Sequence, residues 1–259
     1  MSNAELFSTV AREYANFRPG YPPELFAWLA RISPSHGAAW DCGCGSGQAS
    51  VALAGHFSQV YATDVAPEQI DAAKPHPRVR YSVATAERCG LDDHSVDLVT
   101  VAQALHWFDV TAFYAEAVRV ARPGALLAVW NYPRPQFMDA GLDRRFFAFY
   151  SQVVGPYWPP ERRHIEAGYR TLPFPFEEIE VPQFGLELSW NLEQVTGYVS
   201  SWSATARYRK ALEADPVPLL RDSLSAGWPA GGGSVAIRMP IGLRVGYLGS
   251  GRGVAPVVR

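Results

Sequence analysis

The stretch Trp40-Asp41-Cys42-Gly43-Cys44-Gly45-Ser46-Gly47-Gln48 places three glycines at alternate positions between two regular elements. Ala38 to Asp41 are predicted to form a short strand, and Gln48 to Phe57 a helix. Glycine adopts positive φ readily and lets a ligand approach the backbone. A helix that begins at the last glycine presents unpaired N–H groups and the positive end of its dipole. The stretch therefore predicts a strand–turn–helix unit that binds an anionic group.

Two kinds of cofactor compete for this turn. A dinucleotide fingerprint, G-x-G-x-x-G counted from Gly43, requires glycine at position 48, where Gln48 stands. The acidic residue followed by G-x-G-x-G instead resembles motif I of the class I S-adenosylmethionine (SAM)-dependent methyltransferases. The SAM carboxylate would meet the loop N–H groups, and Asp41 would pair with its ammonium group. A nicotinamide-dependent oxidoreductase, a non-catalytic SAM-binding protein and a glycine turn without a ligand remain alternatives.

The segments that follow alternate between strand and helix patterns. Predicted strands lie at 60–64, 79–83, 95–103 and 125–131. Such alternation predicts an α/β fold with a doubly wound, mostly parallel sheet. Ile237 to Tyr247 alternates apolar and polar residues and is predicted to be an antiparallel strand near the C-terminus. The family resemblance implies a Rossmann-like sheet of seven strands with a helical lid.

We interpret residues 1–259 as a single methyltransferase domain. Its predicted parts are an N-terminal helical cover (1–35), a SAM-binding core (36–135), lid helices with strand six (136–235), antiparallel strand seven (236–248) and a flexible tail (249–259). Apolar residues at helical spacing predict one lid helix over 138–153 and another over 192–206. Asn191 and Gln194 resemble a capping box before the second helix. Strand six is predicted near 176–181, and residues 184–190 also alternate as a strand does.

Composition narrows the possible partners. The chain has 259 residues, 48% of them hydrophobic, and a formal net charge of -2. Without a basic excess we expect no nucleic-acid partner. No apolar run approaches a membrane span and the N-terminus lacks a signal pattern, so we expect no membrane partner and a cytoplasmic location. Three cysteines suit a reducing compartment and do not have metal-site spacing, so no metal is expected. The expected partner is a small-molecule acceptor, for a monomer or homodimer.

Further candidate cofactor residues follow the glycine turn. Asp64 ends the second predicted strand, where a carboxylate binds both ribose hydroxyls of an adenosine; capping the helix that begins at Pro67 is the alternative. The resemblance implies that Val65, Ala86 and Glu87 lie around the adenosine and that Gln103 lines the site. An N-terminal Tyr-x-x-x-Arg-Pro-x-Tyr-Pro pattern resembles the trans-aconitate-methyltransferase-like (methyltransferase type 11) branch. It places Tyr14 and Arg18 at the cofactor, with a surface position as the alternative for Arg18.

The candidate catalytic residues follow the buried strand 95–103. Ala-Leu-His-Trp-Phe-Asp at 104–109 resembles the same branch, and ligands bind beside the carboxyl ends of such strands. His106 would act as a base or orient the substrate, or merely bond a loop carbonyl, and Trp107 would wall the site. The candidate substrate contacts are Trp130, Tyr132, Arg134, Tyr198 and Trp202, with packing in the core as the alternative for Tyr198 and Trp202. SAM is the expected cofactor, with S-adenosylhomocysteine (SAH) as product.

Overall fold

A computed structural model describes residues 19–249. Tyr14 and Arg18, predicted to contact the cofactor, lie outside the described residues. Along the chain the elements are α1 Pro23–Ile32, β1 Ala38–Cys42, α2 Gln48–Leu53, β2 Gln59–Asp64, α3 Pro67–Asp71, β3 Val79–Val83, β4 Val96–Ala102, α4 Val110–Val120, β5 Ala121–Asn131, β6 Gln136–Phe137, α5 Ala140–Ala148, α6 Arg162–Glu166, β7 Glu177–Glu178, β8 Phe184–Trp190, α7 Leu192–Ser200, α8 Ser203–Leu212, α9 Val217–Ser225 and β9 Val235–Tyr247. Short 3₁₀ turns lie at Leu105–Trp107 and Gly155–Tyr157, and a π turn at Phe149–Val153.

The sheet is doubly wound and mostly parallel. Its parallel part has the order β3-β2-β1-β4-β5. The long strand β9 runs antiparallel beside β5, with β6, β7 and β8 also paired antiparallel to it. The described residues thus form nine strands in place of the predicted seven, because β6 and β7 are two-residue additions and β8 joins the sheet through β9. The predicted antiparallel strand near the C-terminus is confirmed.

The central strands are buried on both faces because helices cover each side. Leu25 and Phe26 of α1 and Leu53 of α2 pack against one face. Phe113 and Ala117 of α4 pack against the other face. The β1 residues are all buried, as are six of the seven in β4. This two-sided burial leaves the carboxyl edge of the strands as the place where their loops meet a ligand.

Between β6 and β9 the chain forms a helical insert, α5 to α9, with its own aromatic core. The predicted capping box of Asn191 and Gln194 is confirmed. The single helix predicted over 192–206 is wrong, because Trp202 adopts an extended backbone and the helix divides into α7 and α8. Interrupting the helix is favourable because it lets the Trp202 ring become buried against other rings of the insert. The helix predicted over 138–153 ends as α-helix at Ala148 and continues as the π turn.

Three other predicted boundaries differ from the structure. Helix α2 ends at Leu53 and not at Phe57. The strand predicted near 176–181 contains only Glu177–Glu178. Strand β5 begins at Ala121 and not at Ala125, because Ala121 already pairs with Val96 of β4. The strand therefore includes Arg122-Pro123-Gly124. Of the helices within residues 19–249, none is both long and apolar enough to cross a membrane.

Candidate functional site

A cavity opens at the carboxyl ends of β1, β2 and β4. Its described lining combines the glycine turn with loops after the other strands: Gly43, Gly45, Asp64, Val65, Gln69, Ala84, Thr85, Ala86, Glu87, Ala102, Gln103, Ala104, Trp107 and Phe108. A smaller cavity on the far side of the same turn is lined by Tyr21, Gly43, Cys44, Gly45, Gln48, Ala49 and Ala102. The glycine turn is therefore the wall that the two cavities share. Seven of the predicted cofactor residues, from Gly43 to Gln103, lie in this lining.

The glycine turn needs residues without a side chain. Gly43, Gly45 and Gly47 have φ of 68°, 54° and 87°, in the left-handed region that disfavours other residues. A Cβ on Gly43 would lie 2.6 Å from the Cβ of Ala104, and one on Gly47 would lie 2.2 Å from Tyr81 Oη. Gly47 does not line the main cavity, so its predicted role as a direct contact becomes one of shaping the turn. The bare backbone of Gly43 and Gly45 faces the cavity.

Asp64 lies at the end of β2, between the turn and the adjoining loop. One carboxylate oxygen accepts a hydrogen bond from the Gly45 N–H at 2.8 Å, and the other accepts one from the Ala66 N–H at 2.9 Å. Burial raises the pKa of Asp64, while these backbone hydrogen bonds oppose the rise. Helix α3 receives no side-chain cap. The carboxylate therefore holds the turn in place and still lines the cavity, as the ribose role requires.

Asp41 lies beneath the turn and not at the cavity surface. The side chain is fully buried, and its oxygens accept hydrogen bonds from Ser50 Oγ at 2.6 Å and Thr100 Oγ1 at 2.9 Å. It does not line either cavity. The pairing of Asp41 with a SAM ammonium group stays a prediction, and in this geometry the carboxylate is engaged by Ser50 and Thr100. The sequence shows that the residue is acidic, but only the fold shows that α2 and β4 cover it.

Gln103 ends β4 with a backbone that a residue bearing a side chain rarely adopts. Its φ is 61°. The Gln103 N–H donates to the Trp130 carbonyl at 2.9 Å, and its Nε2 donates to the Tyr132 carbonyl at 3.3 Å. These bonds join the carboxyl ends of β4 and β5 at the cavity wall. On the opposite wall, Glu87 accepts a hydrogen bond from the Asp109 N–H at 3.1 Å.

His106 points away from the cavity, although its neighbour Trp107 lines it. A hydrogen bond of 3.0 Å joins His106 Nδ1 to Tyr169 Oη. Burial, together with the nearby charges of Arg162 and His164, lowers the pKa of His106 to about 3. A neutral imidazole of such low basicity is a poor proton acceptor. The base role of His106 stays a prediction that this geometry does not favour, and Trp107 lies in the cavity lining.

Most of the predicted substrate residues belong to apolar cores. Trp130 is fully buried against α1, where it meets Phe26 edge to face. The rings of Tyr132, Tyr198 and Trp202 are buried in the core of the helical insert. None of these four lines the described cavities, so the prediction that they contact substrate is not supported. A residue's position at the carboxyl end of a strand does not determine which face of the sheet its side chain lies on.

Arg134 is engaged within the protein. Its guanidinium makes two hydrogen bonds to the Asp143 carboxylate, at 2.7 and 3.0 Å, and lies over the Phe147 ring. The substrate contact of Arg134 stays a prediction, and in this structure the cation is paired with a residue nine positions away. Such pairing cannot be seen without the fold of the insert.

The described residues fit a SAM molecule on two observations. The positive φ values of Gly43 and Gly47 and the clashes that a Cβ would make there exclude side chains from this turn, so a ligand can approach its backbone. Asp64 adds the carboxylate that an adenosine ribose requires. Among residues 19–249, no cluster of His, Cys, Asp or Glu is suited to hold a metal ion.

Comparisons with known proteins show which family this chain belongs to. The methyltransferase domain family matches residues 40–129. A predicted methyltransferase from Dictyostelium discoideum is 34% identical over 222 residues, which cover 84% of each chain. This chain belongs to the class I SAM-dependent methyltransferases. A predicted type II methyltransferase from Anaeromyxobacter dehalogenans has a solved structure that is 45% identical, with a TM-score of 0.83, covering 90% of this methyltransferase and 98% of that chain. Methyltransferase cfoB from Aspergillus candidus is 27% identical, covering 75% of this methyltransferase and 70% of its relative.

Several residues that line the cavity of this methyltransferase were not predicted from the sequence. They are Gln69, Ala84, Thr85, Ala102, Ala104 and Phe108. Thr85 and Ala84 directly follow β3, so the rule that ligands bind at carboxyl ends of strands would have found them. Phe108 carried a signal as well, since it follows Trp107 in the quoted branch pattern. Gln69 lies within helix α3 and carries no comparable signal in the sequence.

The buried Asp41 gives the methyltransferase a specific pH dependence of stability. Burial raises the pKa of Asp41 from 3.8 to about 6, with the Ser50 and Thr100 hydrogen bonds opposing the rise. Between these values the folded chain retains a proton that the unfolded chain has lost, so stability falls as pH rises from about 4 to 6 and then levels off. We expect wild type to lose roughly 3 kcal/mol relative to Asp41→Asn between pH 4 and 7.

Urea unfolding of both proteins across that range measures the difference. The Asp41→Asn variant is the control for every other titrating group, because it removes one proton site and keeps the side chain's size. A stability difference that stays constant with pH, or that grows in favour of wild type as pH rises, would contradict the burial argument.

The Arg134–Asp143 pair is expected to stabilise the insert without affecting the cofactor. Arg134→Ala leaves a partly buried carboxylate with one hydrogen bond fewer at each oxygen, so we expect a loss of about 1 to 2 kcal/mol. Arg238→Ala is the matched control, because its pair with Glu187 is exposed and contributes little. Urea unfolding and SAH calorimetry give the two readouts. A tenfold loss of SAH affinity in Arg134→Ala would return Arg134 to the binding site.

Proposed function

We propose that this protein transfers the methyl group of SAM to an oxygen atom, carboxylate or hydroxyl, of a small-molecule acceptor. The observation that supports the proposal lies at the carboxyl ends of β1 and β2. There the exposed backbone of the glycine turn and the Asp64 carboxylate line the same cavity and are joined by a hydrogen bond. The 104–109 resemblance to the trans-aconitate-methyltransferase-like branch supports a small acceptor. The net charge of -2 supports an acceptor other than nucleic acid.

We assign a part of the cofactor to each group of lining residues. Asp64 would accept hydrogen bonds from the ribose hydroxyls, and the loop with Ala86 and Glu87 would hold the adenine. The amides of the glycine turn would bind the amino-acid tail. When bound, SAM supplies an electrophilic methyl group on a positively charged sulfur.

The protein's own contribution is alignment and exclusion of water. Trp107 and Phe108 wall the cavity with aromatic rings, whose faces attract a cationic sulfur. Gln103 joins β4 to β5 and fixes the wall next to them. In-line transfer from a sulfonium gains most from such positioning, since holding the reactants together removes much of the entropic barrier. The low basicity of His106 gives no support to proton removal by this side chain.

A turnover screen tests the proposal. Radiolabelled SAM is incubated with the protein and a panel of carboxylic acids and phenols, and label transferred to the acceptor is counted. We expect transfer to at least one member, and none above background with Asp64→Ala. SAH binding without turnover on any member would instead favour a non-catalytic SAM-binding protein.

A further inference from the structure

Tyr169 has a backbone conformation that is unusual for a bulky residue. Its φ is 60°, in the left-handed region that disfavours side chains, and the residue is fully buried. Such strain persists only where the surrounding structure maintains it, and it is frequent at functional sites. Arg244 of β9 maintains it here, because its Nη1 donates to the Tyr169 carbonyl at 2.9 Å and to the Leu172 carbonyl at 3.1 Å. The strained backbone therefore indicates that the place of the Tyr169 side chain matters.

The Tyr169 side chain reaches the 3₁₀ turn at Leu105–Trp107. Its hydroxyl oxygen lies 3.0 Å from His106 Nδ1, and the two ring centroids are 5.9 Å apart. His106 is buried too, and burial lowers its pKa to about 3. Its ring is therefore neutral, and a neutral imidazole can pair with a hydroxyl without burying a charge. Tyr169 and His106 thus form a hydrogen-bonded pair inside the protein.

This pair lies directly behind the wall of the cofactor cavity. The His106 ring packs on the Trp107 ring, with centroids 4.6 Å apart, and Trp107 lines the cavity. The turn that carries both rings is short. In it the Trp107 N–H donates to the Ala104 carbonyl at 2.9 Å, and the Phe108 N–H donates to the Leu105 carbonyl at 3.2 Å. Because hydrogen bonds of a 3₁₀ turn have poor geometry, contacts with other parts of the fold help to determine its shape.

The segment around this turn forms a continuous part of the cavity wall, with Gln103, Ala104, Trp107 and Phe108 in the lining. It is fixed at its start, where Gln103 bonds the end of β5. It is fixed at its end, where the Phe108 ring packs on Phe113 of α4 with centroids 5.1 Å apart. Between these two anchors, His106 ties the turn to Tyr169.

We propose that Tyr169 is a positioning residue of the cofactor site: acting through His106, its hydroxyl fixes the Trp107 ring in the cavity wall. His106 then serves as the contact between Tyr169 and Trp107 and not as a base. Without the hydroxyl, a buried nitrogen of His106 loses its partner, and the ring on which Trp107 rests loses its fixed place. This inference rests on the proposed function, since the wall affects methyl transfer only if the cavity binds SAM.

Fluorine NMR of protein labelled with 5-fluorotryptophan tests the proposal, because it reports on each of the eight tryptophans separately. A Trp107→Phe variant identifies the Trp107 signal. Tyr169→Phe keeps the ring and removes only the hydroxyl. We expect it to shift or broaden the Trp107 signal of the SAH-free protein. We also expect it to weaken SAH binding about fivefold, the size of effect that one hydrogen bond has.

Tyr114→Phe is the matched control. Tyr114 is also a buried tyrosine, and its hydroxyl donates to the Pro173 carbonyl at 2.8 Å, but it does not line the described cavity. We expect this variant to leave the Trp107 signal unchanged and SAH affinity within about twofold of wild type. An unchanged Trp107 signal or SAH affinity in Tyr169→Phe overturns the inference. Equal effects of Tyr114→Phe and Tyr169→Phe on either readout also overturn it, because they would show a general loss of stability.

His106→Phe supplies a second arm, since it keeps a ring beside Trp107 and removes the nitrogen that bonds Tyr169. We expect it to weaken SAH binding about fivefold, and the double variant with Tyr169→Phe to stay within about twofold of either single variant, because both changes remove the same bond. Losses that multiply in the double variant would show that the two residues act separately, and would overturn the inference. Failure of wild type to bind SAH would instead reject the proposed function, while the Trp107 signal of the SAH-free variants still tests the positioning.

Discussion

Gly43→Ala is expected to weaken SAH binding by about 30-fold. The new methyl group would lie 2.6 Å from Ala104 Cβ, and the backbone keeps a φ of 68° that strains alanine. Ala104 is a short side chain that cannot rotate away, so the turn itself must move. Strain of about 1 kcal/mol, with roughly as much again from the displaced turn, corresponds to this loss at about 1.4 kcal/mol per tenfold. Isothermal titration calorimetry with SAH measures it.

Gly90→Ala is the matched control for this prediction. Gly90 has a φ of 76°, but no atom lies within 4 Å of the position its Cβ would take. The control variant therefore carries the backbone strain without the clash and lies outside the cavity lining. We expect it to bind SAH within about twofold of wild type. Equal affinities for the two variants would show that crowding at Gly43 does not shape the site.

Asp64→Ala is expected to reduce SAH affinity by at least about 100-fold. The change removes the proposed ribose partner. It also leaves the N–H groups of Gly45 and Ala66 without the carboxylate to which they now donate hydrogen bonds. Hydrogen bonds to a charged group contribute about 1.5 to 3 kcal/mol each, which accounts for a loss of this size. Calorimetry with SAH measures the affinity, and urea unfolding measures how much of the loss is structural.

Asp71→Ala controls for the removal of a carboxylate near the same strand end. Asp71 ends helix α3, and its side chain is exposed. We expect its SAH affinity and stability to stay close to those of wild type, because an exposed carboxylate contributes little to either. A loss of less than threefold in Asp64→Ala would remove Asp64 from the ribose site.

Most described residues predicted for the cofactor lie in one cavity lining, because their placement depends on local sequence. The glycine turn, the strand before it and the carboxylate of Asp64 follow one another within 27 residues. Their placement needs only the rule that parallel strands present their carboxyl ends at one edge. The capping box at Asn191 and the cap at Asp109 were predictable for the same reason.

The predicted substrate half of the site depends on contacts between distant residues, which the sequence does not show. Strand β5 is buried on both faces, so its pattern does not tell which face Trp130 or Asn131 occupies. The partner of His106 is Tyr169, 63 residues away, and Tyr169 lies in a turn without a sequence signature. From the sequence alone, aromatic residues of the insert are equally suited to pack on one another or on a ligand. In the fold they pack on one another.

One SAM molecule is expected to occupy the cavity beside the glycine turn. A crystal structure of the protein soaked with saturating SAH shows whether it does. We expect density for the adenosine between Asp64, Ala86 and Trp107, with the ribose hydroxyls on the Asp64 carboxylate and the amino-acid tail on the amides of the glycine turn. Density at another place, or none in this cavity, would contradict this expectation.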